Sequence, residues 1–193
     1  MGSIFLFIVE LIKLCVAEKR CIILLSERRS HLDRICELVT TNNICSVGYY
    51  VGGMKQRDLK KSESKQLILA TYQMAAVGLD IPSLNTIIFA SPRSEVTQAF
   101  GRILRKIDAK LPPKGYDIID NSIQVYKRQF TSRRRIYKRN KYKFNMHKIF
   151  DYGDTSVEDL ITQYIQKKPQ ERKQPKIEDF LKGTCVMDDS DSD

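Results

Sequence analysis

Gln98, Arg102 and Arg105 stand at positions i, i+4 and i+7 of the run QAFGRILR. On a helix this spacing puts all three on one face, and Gly101 removes a side chain so that another surface can come close. Two guanidiniums on one face make a fork for phosphate oxygens. In phosphoryl transfer such an arginine neutralises the charge developing on the γ-phosphate. Taken alone, Arg-x-x-Arg is more often a solvated basic helix. Residues 70–82 (ATYQMAAVGLDIP) offer a second group: a strand ending at Thr71, a short polar-then-small turn, then Gly78-Leu79-Asp80 before Pro82. Hydroxyl and N–H groups at a strand's carboxyl end lie where open α/β sheets bind ligands. Asp80 suits an arginine, a ribose hydroxyl or, most simply, a helix N-terminus. In residues 24–32 (LLSERRSHL), Ser26 follows a strand and precedes a helix. That place suits a phosphate contact, and equally an N-cap by Ser26 or Ser30.

The elements that must position these groups follow from apolar spacing. Ile4, Phe5, Ile8, Leu11, Ile12 and Cys15 predict an amphipathic helix. Lys19-Arg20 closes it, as positive charge suits a helix C-terminus. Strands are predicted over 21–25, 45–51 (ending at Gly52-Gly53), 66–71, 86–90 and 116–120, with helices over 30–40 and 94–106. Short apolar runs separated by helices predict an α/β fold, a parallel sheet covered by helices on both faces.

After Asp120 the composition changes. Residues 127–148 hold ten Lys/Arg and no Asp or Glu, with Tyr126, Phe130, Tyr137, Tyr142 and Phe144 interleaved. A basic helix is predicted, its aromatics packed on the sheet and Arg133, Arg134, Arg135, Lys138 and Arg139 facing a nucleic-acid backbone. A polar linker with a short helix at 157–165 follows, and the chain ends in the acidic run DDSDSD. The division is therefore 1–125 for the α/β domain, 126–150 for the basic aromatic helix and 151–193 for a linker and mostly flexible tail.

Composition narrows the partners. Over 193 residues, 42% are hydrophobic and 29% charged, and the net charge is +10. That is globular composition with a bias towards polyanions, nucleic acid before anionic membrane. No run reaches the roughly 18 apolar residues of a membrane span, and residues 4–9 lack the flanks of a signal peptide. Five cysteines without close pairs and two histidines, His31 and His147, make neither a disulfide framework nor a zinc site. An intracellular setting is expected.

The order of the segments adds a resemblance. SERRSHL after a strand, YYVGG, ATYQMAAVGLDIP, ASPRSEVTQAFGRILRK and YDIID together resemble the C-terminal RecA-like domain of superfamily 2 helicases. LLSERRSHL looks like that family's motif IV, ATYQMAAVGLDIP like motif V and QAFGRILRK like motif VI. The wording is most similar to DNA helicases of large cytoplasmic DNA viruses, of pox-, irido- and asfarvirus type, and covers about residues 4–144. The resemblance implies Arg105 as an arginine finger, Arg102 as a second γ-phosphate contact and Gln98 as the coupling to an interdomain cleft. Gly78 and Asp80 would face ATP, while Ser26, Arg28 and Thr71 would touch the nucleic-acid backbone. Val77 departs from the polar residue that many relatives place before Gly-Leu-Asp.

ATP hydrolysis with Mg2+ in that family also needs a GxxxxGK[ST] loop and an Asp-Glu pair, and neither a Gly-Lys nor an Asp-Glu dipeptide occurs here. The expectation is half a motor, inactive alone, with a first RecA-like domain supplied in cis or in trans. Its partner is DNA, with RNA as the alternative; if viral, it acts in the host cytoplasm or virion. A non-catalytic nucleic-acid-binding module is the runner-up, and an unrelated doubly wound transferase the third. Gln174, Ile177, Phe180 and Leu181 resemble a sliding-clamp peptide, or a C-terminal helix docking on its own domain.

Overall fold

The computed structural model describes residues 2–78, 81–93, 111–120, 123–144 and 146. In chain order the elements are α1 (Gly2–Ala17), β1 (Ile22–Ser26), α2 (Arg29–Thr41), β2 (Val47–Tyr50), α3 (Gln56–Ser62), β3 (Leu67–Thr71), α4 (Tyr72–Gly78), β4 (Thr86–Phe89), β5 (Lys114–Asp117) and α5 (Gln124–Arg139). The strands form one sheet in the order β2-β3-β1-β4-β5, and every neighbouring pair is parallel. The predicted parallel sheet with helices on both faces is therefore present.

The apolar runs are continuous because both faces of the sheet are covered. Successive strand side chains point to opposite faces. Ile22, Leu24, Leu67, Leu69 and Ile88 pack with Ile8, Leu11 and Ile12 of α1 and Leu32, Ile35 and Val39 of α2. Ile23, Leu25, Ile68, Ala70, Ile87 and Phe89 pack with Leu59 of α3, Tyr72 and Ala75 of α4, and Tyr137 of α5. Central β1 is buried along its whole length.

Two short helices were not foreseen from the pattern. In α3 the buried residues are Leu59 and Ser62, and in the seven-residue α4, read from sequence as a turn, the buried side chains are Tyr72 and Ala75. Elements of two turns give too few apolar positions for a 3.6-residue period to register. The last strand also lies earlier than the predicted 116–120. Pro112 and Pro113 have no N–H to give a ladder, so pairing starts at Lys114, whose N–H donates to the Asn85 carbonyl at 3.0 Å.

Three helices end alike. Past α1, α2 and α5, Lys19, Asn43 and Lys141 adopt left-handed φ values of 56°, 49° and 55°. In each case the next N–H reaches back five residues: Arg20 to Cys15 (3.0 Å), Ile44 to Val39 (3.1 Å) and Tyr142 to Tyr137 (3.0 Å). This is the Schellman arrangement, which satisfies the last carbonyls and stops the helix. It ends the basic helix at Arg139 rather than near Lys148. It also changes the part played by Lys19-Arg20. Lys19 is the left-handed cap, and Arg20 is buried, bonding Glu18, the Pro112 carbonyl (3.0 Å) and Thr86 Oγ1 (3.4 Å). Glu18 is held below its ordinary carboxylate value: burial works against this and is outweighed by Arg20 and Lys114.

Edge strand β2 meets α3 at a close approach. A Cβ on Gly48 would sit 2.8 Å from Ser62 Cα and 2.8 Å from Ser62 Cβ. The first of these is main chain and cannot swing aside. Gly48→Ala is expected to lower stability by about 1–3 kcal/mol through overpacking, read as a lower urea midpoint at unchanged slope.

Candidate functional site

The carboxyl ends of β1, β3, β4 and β5 lie side by side at one edge of the sheet. Ser26 is in register with Thr71, and Phe89 with both Leu25 and Asp117. Strand order changes direction around β1, and open α/β sheets bind ligands outside such an edge. What each side chain does there differs from residue to residue.

Ser26 is completely buried, so it does not offer its hydroxyl to a phosphate as expected. Its Oγ accepts the Arg28 N–H at 3.3 Å and lies 2.9 Å from His31 Nδ1. Nor does Ser26 or Ser30 cap α2: the N-cap is Arg28, and no side chain bonds there. Arg28 is exposed and Thr71 half-buried.

His31 completes this corner, with its ring edge-on to Phe5 at 4.8 Å between centroids. Burial, then the nearby Arg28 charge, holds its pKa below the ordinary 6.5. The unfolded chain thus takes up the proton at a higher pH than the folded one. This contribution to stability is fully present above about pH 6.5 and is lost as pH falls from there through the folded value. His31→Gln is expected to flatten that acid-side loss, measured as the urea midpoint at about pH 7.5 against about pH 5.

A buried network closes the other side of the edge. Arg133 on α5 has none of its side chain exposed. Its Nε and Nη2 donate to the two carboxylate oxygens of Asp117, at 2.8 and 2.9 Å, and its Nη1 donates to the Arg93 carbonyl at 2.7 Å. Tyr137 donates its hydroxyl to Asp117 Oδ2 at 2.9 Å; burial, then the Asp117 charge, pushes its pKa up and keeps it a donor. Arg133 is therefore corrected from a nucleic-acid contact to a structural ion pair. The helix period shows why: Tyr126, Phe130, Arg133 and Tyr137 follow i, i+4, i+7, i+11 spacing, so Arg133 shares the inward face. Arg134, Arg135, Lys138 and Arg139 are exposed on the opposite side. Of the interleaved aromatics, Tyr137 is buried, Tyr126, Phe130 and Tyr142 are half-buried, and Phe144 is exposed.

Between these two corners lies the segment that follows β4. The Glu27 N–H donates to Ser91 Oγ at 2.9 Å, and Tyr72 donates its hydroxyl to the Ser91 carbonyl. The Arg93 guanidinium sits 5.3 Å from the centre of the Tyr72 ring and 3.9 Å from Glu27. Sequence reasoning missed Tyr72, Ser91, Arg93 and Asp117 here. Asp117 lies in the YDIID run and Arg93 in SPR, but nothing in their spacing pairs them with Arg133.

Gly78 closes α4. Asp80, Gln98, Arg102 and Arg105, with the predicted helix over 94–106, lie outside the described residues. So do Gln174, Ile177, Phe180 and Leu181, together with the helix predicted over 157–165. Among the described residues no group of three His, Cys, Asp or Glu side chains could hold a metal ion, and no helix is long and apolar enough to cross a membrane.

The family described as "Helicase conserved C-terminal domain" matches residues 5–106, more than half of the chain. The chain belongs to the helicase C-terminal domain family. A relative from Acanthamoeba polyphaga mimivirus, named "Putative ATP-dependent RNA helicase L396", is 38% identical over 145 residues. That match covers 74% of this chain and 28% of the relative, so the chain spans about a quarter of the relative's length. Among solved structures, T4 UvsW superposes with a TM-score of 0.63 at 20% identity, over 77% of this chain and 35% of that one. Mss116p DEAD-box helicase domain 2, bound to an RNA duplex, gives 0.59 at 14% identity, over 87% of this chain and 66% of that one. At these identities the structures speak to the fold: a helicase C-terminal domain has this five-stranded parallel sheet.

Proposed function

We propose that this helicase C-terminal domain is the second motor domain of an ATP-dependent nucleic-acid helicase or translocase. It works with a first RecA-like domain that holds most of the nucleotide. The observation that carries the reading is the crowded sheet edge. The ends of β1, β3 and β4 meet there, and the segment held at Ser91 and Arg93 runs in sequence directly into residues 94–105, within the family match.

In this reading Arg105 is the arginine finger, Arg102 a second γ-phosphate contact and Gln98 the coupling residue. Gly78 and Asp80 face the nucleotide. Neither a GxxxxGK[ST] loop nor an Asp-Glu pair occurs in this chain, and the described residues offer no metal-ligand cluster. These residues do not fit as holders of Mg2+ or of the β-phosphate, and no step through either is assigned to them. The chain's own part is to present positive charge to the nucleotide and to hold the nucleic acid.

For the nucleic acid, Arg28, Thr71 and the outward residues Arg134, Arg135, Lys138 and Arg139 are the proposed backbone contacts. Contacts of this kind bind with little sequence preference and steep salt dependence. DNA is the proposed substrate, as in the large-virus helicases whose motif wording this chain resembles. The mimivirus relative's printed name, and the RNA duplex on Mss116p, put RNA beside it. Binding of matched DNA and RNA strands at several salt concentrations separates the two.

The decisive experiment is nucleic-acid-stimulated ATPase of this chain alone and mixed with a candidate first RecA-like domain. Activity in the mixture alone is the expected result. Activity of the pure chain would sink the reading. Intact nucleic-acid binding with no ATPase in either case, across candidate partners, would leave a non-catalytic binding module.

A further inference from the structure

The Arg133 guanidinium is divided between two tasks. Two of its nitrogens hold Asp117 as a bidentate pair, which fixes α5 against β5. The third donates at 2.7 Å to the main-chain carbonyl of Arg93, the last described residue before segment 94–105. A planar fork with five donors can serve both at once, and a lysine ammonium cannot. Tyr72 grips the same stretch through the Ser91 carbonyl and through its ring against the Arg93 guanidinium. Tyr72 is itself fixed by stacking on Phe89, with ring planes 1° apart and centroids 6.1 Å apart. Two side chains from separate elements, each 6% exposed or less, thus spend hydrogen bonds on two main-chain carbonyls, those of Ser91 and Arg93, in one connecting segment. Loops are ordinarily solvated and tolerant of movement; here the main chain is held at two points by buried side chains.

We infer that Arg133 and Tyr72 are positioning residues for the arginine-bearing segment, setting where Gln98, Arg102 and Arg105 start from through the main chain of Ser91–Arg93. The inference rests on the motor-domain reading above and adds a role for α5 beyond its basic outer face. Arg133 makes no contact with nucleotide or nucleic acid in it. The basic helix thereby has two faces with separate duties, the outer one towards a polyanion and the inner one towards the segment that follows β4.

The test uses the assembly of this chain with a first RecA-like domain. Arg133→Lys keeps a cation beside Asp117 but cannot span to the Arg93 carbonyl, and Tyr72→Phe keeps the stacked ring and loses one hydrogen bond. Each is expected to lower kcat by on the order of tenfold to a hundredfold, the scale of a misplacement of about 1 Å. KM for ATP and nucleic-acid affinity should stay near those of the parent, and the fall in kcat should exceed what any lowered thermal midpoint accounts for. Combined with Arg102→Ala, each effect should be less than multiplicative, because both changes act on the same contact. Full kcat in both single variants, while Arg105→Ala is inactive, overturns this inference alone. Full activity of Arg105→Ala overturns the reading on which it rests and this inference with it. A fall in kcat that only follows the unfolded fraction also overturns it, and Tyr72→Phe decides if Arg133→Lys does not fold.

Discussion

Asp117→Ala is expected to cost about 3–5 kcal/mol, because it leaves a buried charge without its partner. Two of the three Arg133 hydrogen bonds end on this carboxylate, and the guanidinium has no exposed surface through which water could replace them. The change also removes Asp117 Oδ2, the acceptor of the Tyr137 hydroxyl. A domain's whole stability is about 5–15 kcal/mol, so the variant should sit near the edge of folding at ambient temperature. Urea unfolding of parent and variant measures it directly. The double change Asp117→Leu with Arg133→Met should recover most of the loss, since replacing both members of a buried pair by apolar groups is often neutral. A single-variant loss below about 1 kcal/mol, the range of exposed pairs, would show that the pair is solvated in solution.

Arg105→Ala is expected to reduce nucleic-acid-stimulated ATPase of the two-domain assembly by about 10³–10⁵-fold, the range for removal of an arginine finger. Arg105→Lys should recover little of it. A lysine retains the charge but loses the planar fork that engages two phosphate oxygens together. Nucleic-acid affinity should be unchanged, because the proposed backbone contacts lie on Arg28, Thr71 and the outer face of α5. Steady-state ATPase at saturating nucleic acid, with binding measured in parallel, checks both halves. Near-parent turnover in Arg105→Ala would remove Arg105 from the nucleotide.

These two variants probe opposite kinds of information. The arginine segment could be read because motif spacing and order are local; its residues Gln98, Arg102 and Arg105 lie outside the described residues and stand as proposals. The sheet was legible for a related reason. Strands buried on both faces must be apolar throughout, so β1, β3 and β4 stand out between polar stretches. The two-turn helices α3 and α4 did not, because two turns hold too few apolar positions for a helical period to register. Gly48 was equally silent, since the need for glycine arises from the Ser62 main chain, fourteen residues further on.

By itself the sequence determined the α/β class, the order of its main elements, the basic helix and the family. All of these depend on residue type at short separation, where apolar period, proline and charge act directly. Tertiary structure alone decided what the polar side chains do. Ser26 looked like a phosphate ligand and is consumed by Arg28 and His31. Arg133 looked like one more cation in a basic run and is the buried partner of Asp117, sixteen residues back on another element. The physical reason is that a hydrogen bond or ion pair depends on distance and on the exclusion of water. Both are set when the chain closes on itself, and neither is written in the identity of the residue.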